Sequence, residues 1–269
     1  MSPVIPLAFG VATTGVLVAH ERRSRQHSER LAAALLETLL NAVDANDPQT
    51  GAHVRRVARV ALVLADAADL DEATQRSVER VALFHDIGKI HEALFDIIHD
   101  DTKLTPEDRR AIATHPARGA EVLRPLEAFY PDLCGGVLSH HERWDGTGYP
   151  RGLAGTRIPF AARIVAIADT WDAVTRSRRY HRGQDASSAA EVIARGAGTQ
   201  FDPDLAALFL CPPVFECVTA TTRRPPPAER RRGRDGDRRD GRKKPAPDIT
   251  FRWRDPAREQ RADPDAPAR

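Results

Sequence analysis

The chain has 269 residues, 41% of them hydrophobic and 29% charged, which is enough for a packed core over most of its length. Its cysteines, Cys134, Cys211 and Cys217, form no C-x-x-C pair, which argues against a disulfide framework and fits a reducing compartment. The net charge of +2 is uneven: residues 212–269 carry 16 Lys and Arg against 10 Asp and Glu, so the basic character belongs to the tail and not to the body.

The stretch Pro3–Ala19, PVIPLAFGVATTGVLVA, has no charged residue and is followed by HERRSR. Seventeen residues lie at the short end of what spans a bilayer. Arginines on the C-terminal side would hold that side in the cytoplasm. Residues 1–20 therefore read as a single-pass anchor placing the rest of the chain at the cytoplasmic face of the cell membrane; a buried N-terminal segment is the alternative. No basic stretch precedes the run, which argues against a cleaved signal peptide. Residues 21–43 read as an amphipathic connecting helix, with Leu31, Leu35, Leu39 and Val43 at i, i+4 and Leu36 and Leu40 beside them. Such a stripe packs on the body or pairs with a second copy as a homodimer.

From Asp44 to about Leu210 the pattern is mostly helical. HVRRVARVALVLADAADL places Val54, Val57, Ala58, Ala61, Leu62 and Ala65 on one side, and RSVERVALFHDIGKI and FAARIVAIADTWDAV are similar. LTPEDRRAIATH carries a helix start: Thr105 as N-cap, Pro106 at the first position and Asp108 three residues after the cap. There is no alternating strand series and no repeat of 20–50 residues. After residue 211 the composition turns to Pro, Gly and charge, so 212–269 is expected to be a disordered tail. Interspersed aspartates and the lack of aromatic spacing read as a solvated tail rather than a nucleic-acid binder.

Ligand-type residues recur through the helical body: His53, His85, Asp86, His115, His140, His141 and Asp169. Each alone reads as a satisfied polar residue. Together they are harder to dismiss, because His85, Asp86 and Asp169 sit among apolar neighbours, and charge is costly to bury without partners. A divalent cation would neutralise several of them at once. Imidazole and carboxylate without cysteine suit Fe or Mn better than a structural zinc, and seven ligands suit two ions rather than one. Lys89 lies one turn after His85, where a cation is useful if the substrate is an anion; a surface lysine is the alternative.

HDIGKI (85–90), HP (115–116) with Gly119, HHERWDGTGYPRGL (140–153), IPFAARIVAIADTWDAVT (158–175), RRY (178–180) and FDPDLAALFL (201–210) resemble the HD-GYP family in order and spacing, from about Asn41 to Leu210. The resemblance implies an all-α fold, an HD-type helical bundle with the HD-GYP extension over 44–211, and hydrolysis of cyclic di-GMP. By the same resemblance, His53, His85, Asp86 and Asp169 are the ligand set shared by HD hydrolases. His115, His140 and His141 complete a second ion, with Asp86 as bridge and catalytic centre. Which of the adjacent histidines is the closer ligand stays open, since neighbouring helical residues point about 100° apart. Lys89 is expected to face the scissile phosphate, and Tyr149, Arg178 and Tyr180 to line the substrate. Gly146 and Gly148 are expected to let the chain reverse through positive φ, with Tyr149 and Pro150 as a wall beside the ions and Glu142 and Asp145 bracing the loop.

Two departures stand out. Gln49 replaces the glutamate of relatives that hold a third metal, so two metals are expected. The segment HEALFDIIHDDTKLT lacks the Pro and Gly of the family pattern, which bears on substrate choice. The expected reaction is attack on phosphorus by a hydroxide activated by two metals, giving pGpG, with onward cleavage to GMP left open. The alternatives are another cyclic dinucleotide or nucleotide as substrate, or a membrane-tethered scaffold with little turnover.

Overall fold

The computed structural model describes residues 5–90, 105–176 and 183–223. Among them there are ten α-helices, three short 3-10 turns and no strand. The helices are α1 Ile5–Asn46, α2 Pro48–Ala67, α3 Glu72–Phe84, α4 Pro106–Ile112, α5 His115–Leu123, α6 Pro131–Ser139, α7 Phe160–Thr175, α8 Ala186–Gly196, α9 Pro203–Leu210 and α10 Pro212–Arg223. Residues 35–224 form one compact unit, which carries the core and the candidate site, and the rest of the chain falls in a second.

Helix starts follow local chemistry. The Asp47 carboxylate accepts hydrogen bonds from the Gln49 and Thr50 amides, and Pro48 opens α2 with its φ already helical. Asp71 caps α3 through the Thr74 amide. At α4, Thr105 and Asp108 form a reciprocal capping box behind Pro106, as the sequence predicts.

The core lies where α2 packs on α3 and α7, with α6 against α3 and α7. Val57, Val60, Ala61 and Leu64 of α2, Val78, Val81 and Ala82 of α3, and Ile164, Val165 and Ala168 of α7 are all fully buried. Trp171 closes this core edge-on to Phe209 and Phe215, at 5.5 and 5.7 Å between ring centroids. Truncating such a side chain costs about 3–5 kcal/mol.

Two sequence expectations change. Residues 1–20 and 21–43, read as an anchor and a connecting helix, share one helix: α1 runs unbroken to Asn46, because no Gly or Pro interrupts it between His20 and Asn46. The side chains of the uncharged run lie outside the described residues, and among the described residues no single helix is long and apolar enough to cross a membrane. Within α1, Leu36, Leu40 and Val43 are buried, whereas Leu31 and Leu35 are exposed, so the buried stripe is narrower than the periodicity implied. Finally, the tail does not begin at 212. Val214, Phe215 and Val218 are spaced for one helix face, and α10 packs on α2 with Val218 fully buried. The rest of the expected tail, from residue 224, lies outside the described residues.

Candidate metal centre

His53 comes from α2, His85 and Asp86 from the end of α3, His115 from the start of α5, His140 and His141 from the end of α6, and Asp169 from α7. The packing of these helices brings all seven together. Glycine makes one approach close enough: a Cβ at Gly88 would lie 2.1 Å from the His115 carbonyl oxygen and 2.7 Å from the Gly119 amide. Only a bare backbone lets the 3-10 turn Ile87–Ile90 press on α5, which carries Asp86 to His115.

The ligand atoms fall into two groups, His53–His85–Asp169 and His115–His140–His141, each within 4.8 Å of one another. Asp86 lies between them. Its Oδ2 is 3.4 Å from His85 Nε2 and 3.7 Å from His53 Nε2, and its Oδ1 is 3.3 Å from His115 Nε2 and 4.0 Å from His140 Nε2. The two adjacent histidines, whose roles the sequence left open, join the same group, with rings 4.1 Å apart.

Backbone hydrogen bonds set the tautomers. The Nδ1 of His85, His115 and His140 lies 2.7–2.8 Å from the carbonyls of Ala82, Ile112 and Val137, each three residues upstream. A carbonyl only accepts, so each Nδ1 carries a proton, and in the neutral imidazole Nε2 is the nitrogen left to present a lone pair inward. Yet His115 Nε2 and His140 Nε2 are 3.1 Å apart, and His85 Nε2 and Asp86 Oδ1 are buried without a hydrogen-bond partner. Acceptors facing acceptors inside a protein need a cation among them. The residues present therefore fit divalent metal binding.

The electrostatics differ between the groups. For His53, burial opposes charging, but hydrogen bonds to Asp169 and Asp172 and the charges of Asp169 and Asp86 outweigh it and raise the pKa to about 9. Burial and the neighbouring histidines push His140 well below its ordinary value and His141 down to about 4, so both are neutral at pH 7. Burial also opposes ionisation of Asp86, but the Lys89 ammonium, 2.7 Å from Oδ2, and His85 outweigh it and hold the carboxyl well below its usual range. Asp169 is held low too: its burial is outweighed by the hydrogen bond from His53 and by His85.

The loop after α6 shields the second group. Tyr149 stacks on His141, 4.9 Å between centroids and 25° between planes. Burial, with the charges of Asp86 and Asp169, pushes its phenol up to about 12. Buried Glu142 accepts from the Arg151 and Leu153 amides, Asp145 accepts from Arg143 and Thr147, and the Trp144 and Asp145 amides bond to Gln200 and Thr199. Gly146 has φ +80°, as expected. Gly148 does not have positive φ; its role is a close approach, since a Cβ there would lie 2.4 Å from the Arg143 amide and 2.6 Å from Glu142 Cα.

Lys89 is part-buried against Asp86 rather than a surface residue. Gln49 is exposed in the first turn of α2. Arg178, Tyr180 and the divergent segment after Ile90 lie outside the described residues. Sequence reasoning missed Asp172 and Arg56. Buried Asp172 takes His53 Nδ1 at 2.8 Å and the Arg56 guanidinium at 2.6 and 2.8 Å. The available signal was a second acid three residues after Asp169 in the apolar run IVAIADTWDAV, on the same helix face.

A family model described as HD domain matches residues 17–205. The chain is 35% identical over 185 residues to a cyclic di-GMP phosphodiesterase response regulator of Xanthomonas campestris pv. campestris, covering 68% of this chain and 46% of that protein. It is 37% identical over 169 residues to a cyclic di-GMP phosphodiesterase of Pseudomonas aeruginosa, covering 61% and 39%. It is 35% identical over 178 residues to a 3'3'-cGAMP-specific phosphodiesterase of Vibrio cholerae, covering 65% and 34%. The chain thus spans less than half the length of these relatives. Two solved structures share the fold. One is a cyclic GMP-AMP specific phosphodiesterase of V. cholerae, with TM-score 0.51 and 20% identity, covering 70% of this chain and 52% of that one. The other is an HDG"Y"P protein of Bdellovibrio bacteriovorus, with TM-score 0.51 and 19% identity, covering 68% and 61%.

Proposed function

Since the chain belongs to the HD domain family, and within it to the HD-GYP group, we propose that it is a metal-dependent phosphodiesterase that hydrolyses cyclic di-GMP to pGpG. The observation that carries this reading is Asp86, with one carboxylate oxygen toward each of two ligand groups. His53, His85 and Asp169 would hold one divalent ion and His115, His140 and His141 the other, with Asp86 common to both. Nitrogen and oxygen ligands without sulfur favour Fe or Mn. Such ions supply Lewis acidity and bring the pKa of water toward neutrality.

The chain's own residues do the rest. The backbone carbonyls of Ala82, Ile112 and Val137 hold three Nε2 lone pairs inward. Lys89 places a positive charge beside Asp86, where an anionic phosphodiester would gain most as charge develops on it. Tyr149 keeps its proton far above neutral pH, so it remains a neutral donor beside the site. Arg178 and Tyr180 are assigned to the substrate phosphate and base by family resemblance. The uncharged N-terminal run with its following arginines supports a membrane tether at the cytoplasmic face, and exposed Leu31 and Leu35 support a homodimer through α1.

A second reading, 3'3'-cGAMP as substrate, is favoured by the relative of that name at 35% identity. Turnover of both dinucleotides by metal-loaded protein, with product analysis, tests both readings. Cleavage of cyclic di-GMP at least ~10-fold faster, judged by kcat/KM, supports the first. Protein that holds two metals and cleaves neither refutes both.

A further inference from the structure

We propose that Asp172, clamped by Arg56, is a positioning residue that sets the metal affinity of the His53–His85–Asp169 half of the centre and not of the other half. This rests on the reading that the centre holds two metals. His85, His115 and His140 each give the Nδ1 proton to a neutral backbone carbonyl. His53 instead gives it to a carboxylate, Asp172 Oδ2 at 2.8 Å.

Asp172 and Asp169 are three residues apart on α7, so they project from adjacent turns and clasp one imidazole at its two nitrogens. Asp172 takes Nδ1, and Asp169 lies 3.2 Å from Nε2. Asp172 is not itself placed as a ligand. Its side chain is 2% exposed and both its oxygens are engaged: Oδ1 accepts from Arg56 Nε, and Oδ2 accepts from Arg56 Nη2 and His53. The two-pronged guanidinium fixes the plane of the carboxylate and offsets the cost of burying its charge. Arg56 stands three residues after His53 on α2, so the contact between α2 and α7 assembles the whole relay. An anionic acceptor on Nδ1 orients the ring and makes Nε2 a stronger donor to a metal. None of these contacts reaches His115, His140 or His141.

The test is titration with Co2+ alone of the 269-residue chain stripped of metal, followed by calorimetry and visible absorption. The parent is expected to bind two ions per chain. Asp172→Asn keeps the shape and loses the charge, and it is expected to weaken one site about 10–100-fold while the other stays unchanged. Arg56→Gln is expected to weaken the same site by less, and Asp172→Glu to restore part of the affinity. Parent-like affinity in Asp172→Asn, or parallel weakening of both sites as for a merely structural residue, overturns the proposal. If Asp172→Asn fails to fold, Arg56→Gln decides by the same criterion. A parent that binds no Co2+ refutes the metal reading itself, whereas a two-site parent with an indifferent variant refutes only the role of Asp172.

Discussion

His53 is gripped between two carboxylates of α7, whereas His140 leans on a backbone carbonyl and faces other imidazoles. Between these halves lies one shared residue, Asp86. The His53 half is anionic, and without a metal its histidine holds a proton up to about pH 9. In the other half, burial keeps His140 and His141 neutral, which removes them from competition with protons at pH 7. Two ways of preparing a cation site are thus joined in one centre: gathering negative charge, or gathering lone pairs that are already unprotonated. The first binds a cation strongly but must expel a proton. The second is ready at neutral pH but depends on Asp86 for charge.

Removing the bridge breaks the comparison outright. Asp86→Ala is expected to lower turnover by at least ~10^3-fold and metal content below two ions per chain, because both halves lose their common anion; elemental analysis and a rate assay check it. Activity within a few-fold of the parent would remove Asp86 from this role.

Lys89→Ala touches the bridge without removing a ligand. It should keep both metals and the fold but lower kcat by about 10^2–10^3-fold with a smaller change in KM, since its charge matters most as the transition state forms. Steady-state kinetics with metal analysis decides this. Lost metal would place Lys89 in the scaffold instead.

Gly148→Ala sharpens the contrast by disturbing one side only. Its Cβ would meet the backbone of Glu142 and Arg143, next to His140 and His141, and α2 and α7 are untouched. A destabilisation of about 1–3 kcal/mol is expected. Co2+ affinity should fall at one site only, whereas Asp172→Asn should weaken the other. Thermal melts and the same titration read both effects.

The smallest effect is the pH dependence. The raised pKa of His53 means its proton is bound below about pH 9 and must leave when the metal enters. Affinity of the His53 half is therefore expected to rise by about tenfold per pH unit up to about 9 and then level off. His140 and His141 contribute no such slope at neutral pH. Calorimetry in buffers of different ionisation enthalpy counts the released protons. Equal proton release from both sites would contradict the asymmetry.

What the sequence determined on its own is what neighbours within about four residues decide. Thr105, Pro106 and Asp108 announce the start of α4, because a capping box is complete within one turn. The helical class was legible for the same reason, because periodicity is a local spacing, while the candidate ligands from His53 to Asp169 were picked out by residue type among apolar neighbours and by family resemblance. Family resemblance, not spacing, assigned the ligands to two ions. The start of the tail was misread because three apolar residues, Val214, Phe215 and Val218, are a weak signal beside a run of prolines and arginines, and only packing on α2 and against Trp171 makes them a helix face.

Tertiary structure alone decided the partnerships. His53 and Asp172 are 119 residues apart, and no pattern within either helix links them until α2 lies on α7. That His140 and His141 share a group, that Asp86 turns one oxygen to each half, and that Gly148 serves a close approach rather than a turn all depend on where separate helices and loops meet. The physical reason is range: caps and periodicity are energies of adjacent turns, whereas the charge and basicity of a buried imidazole are set by whichever groups the packed core brings within about 3–4 Å.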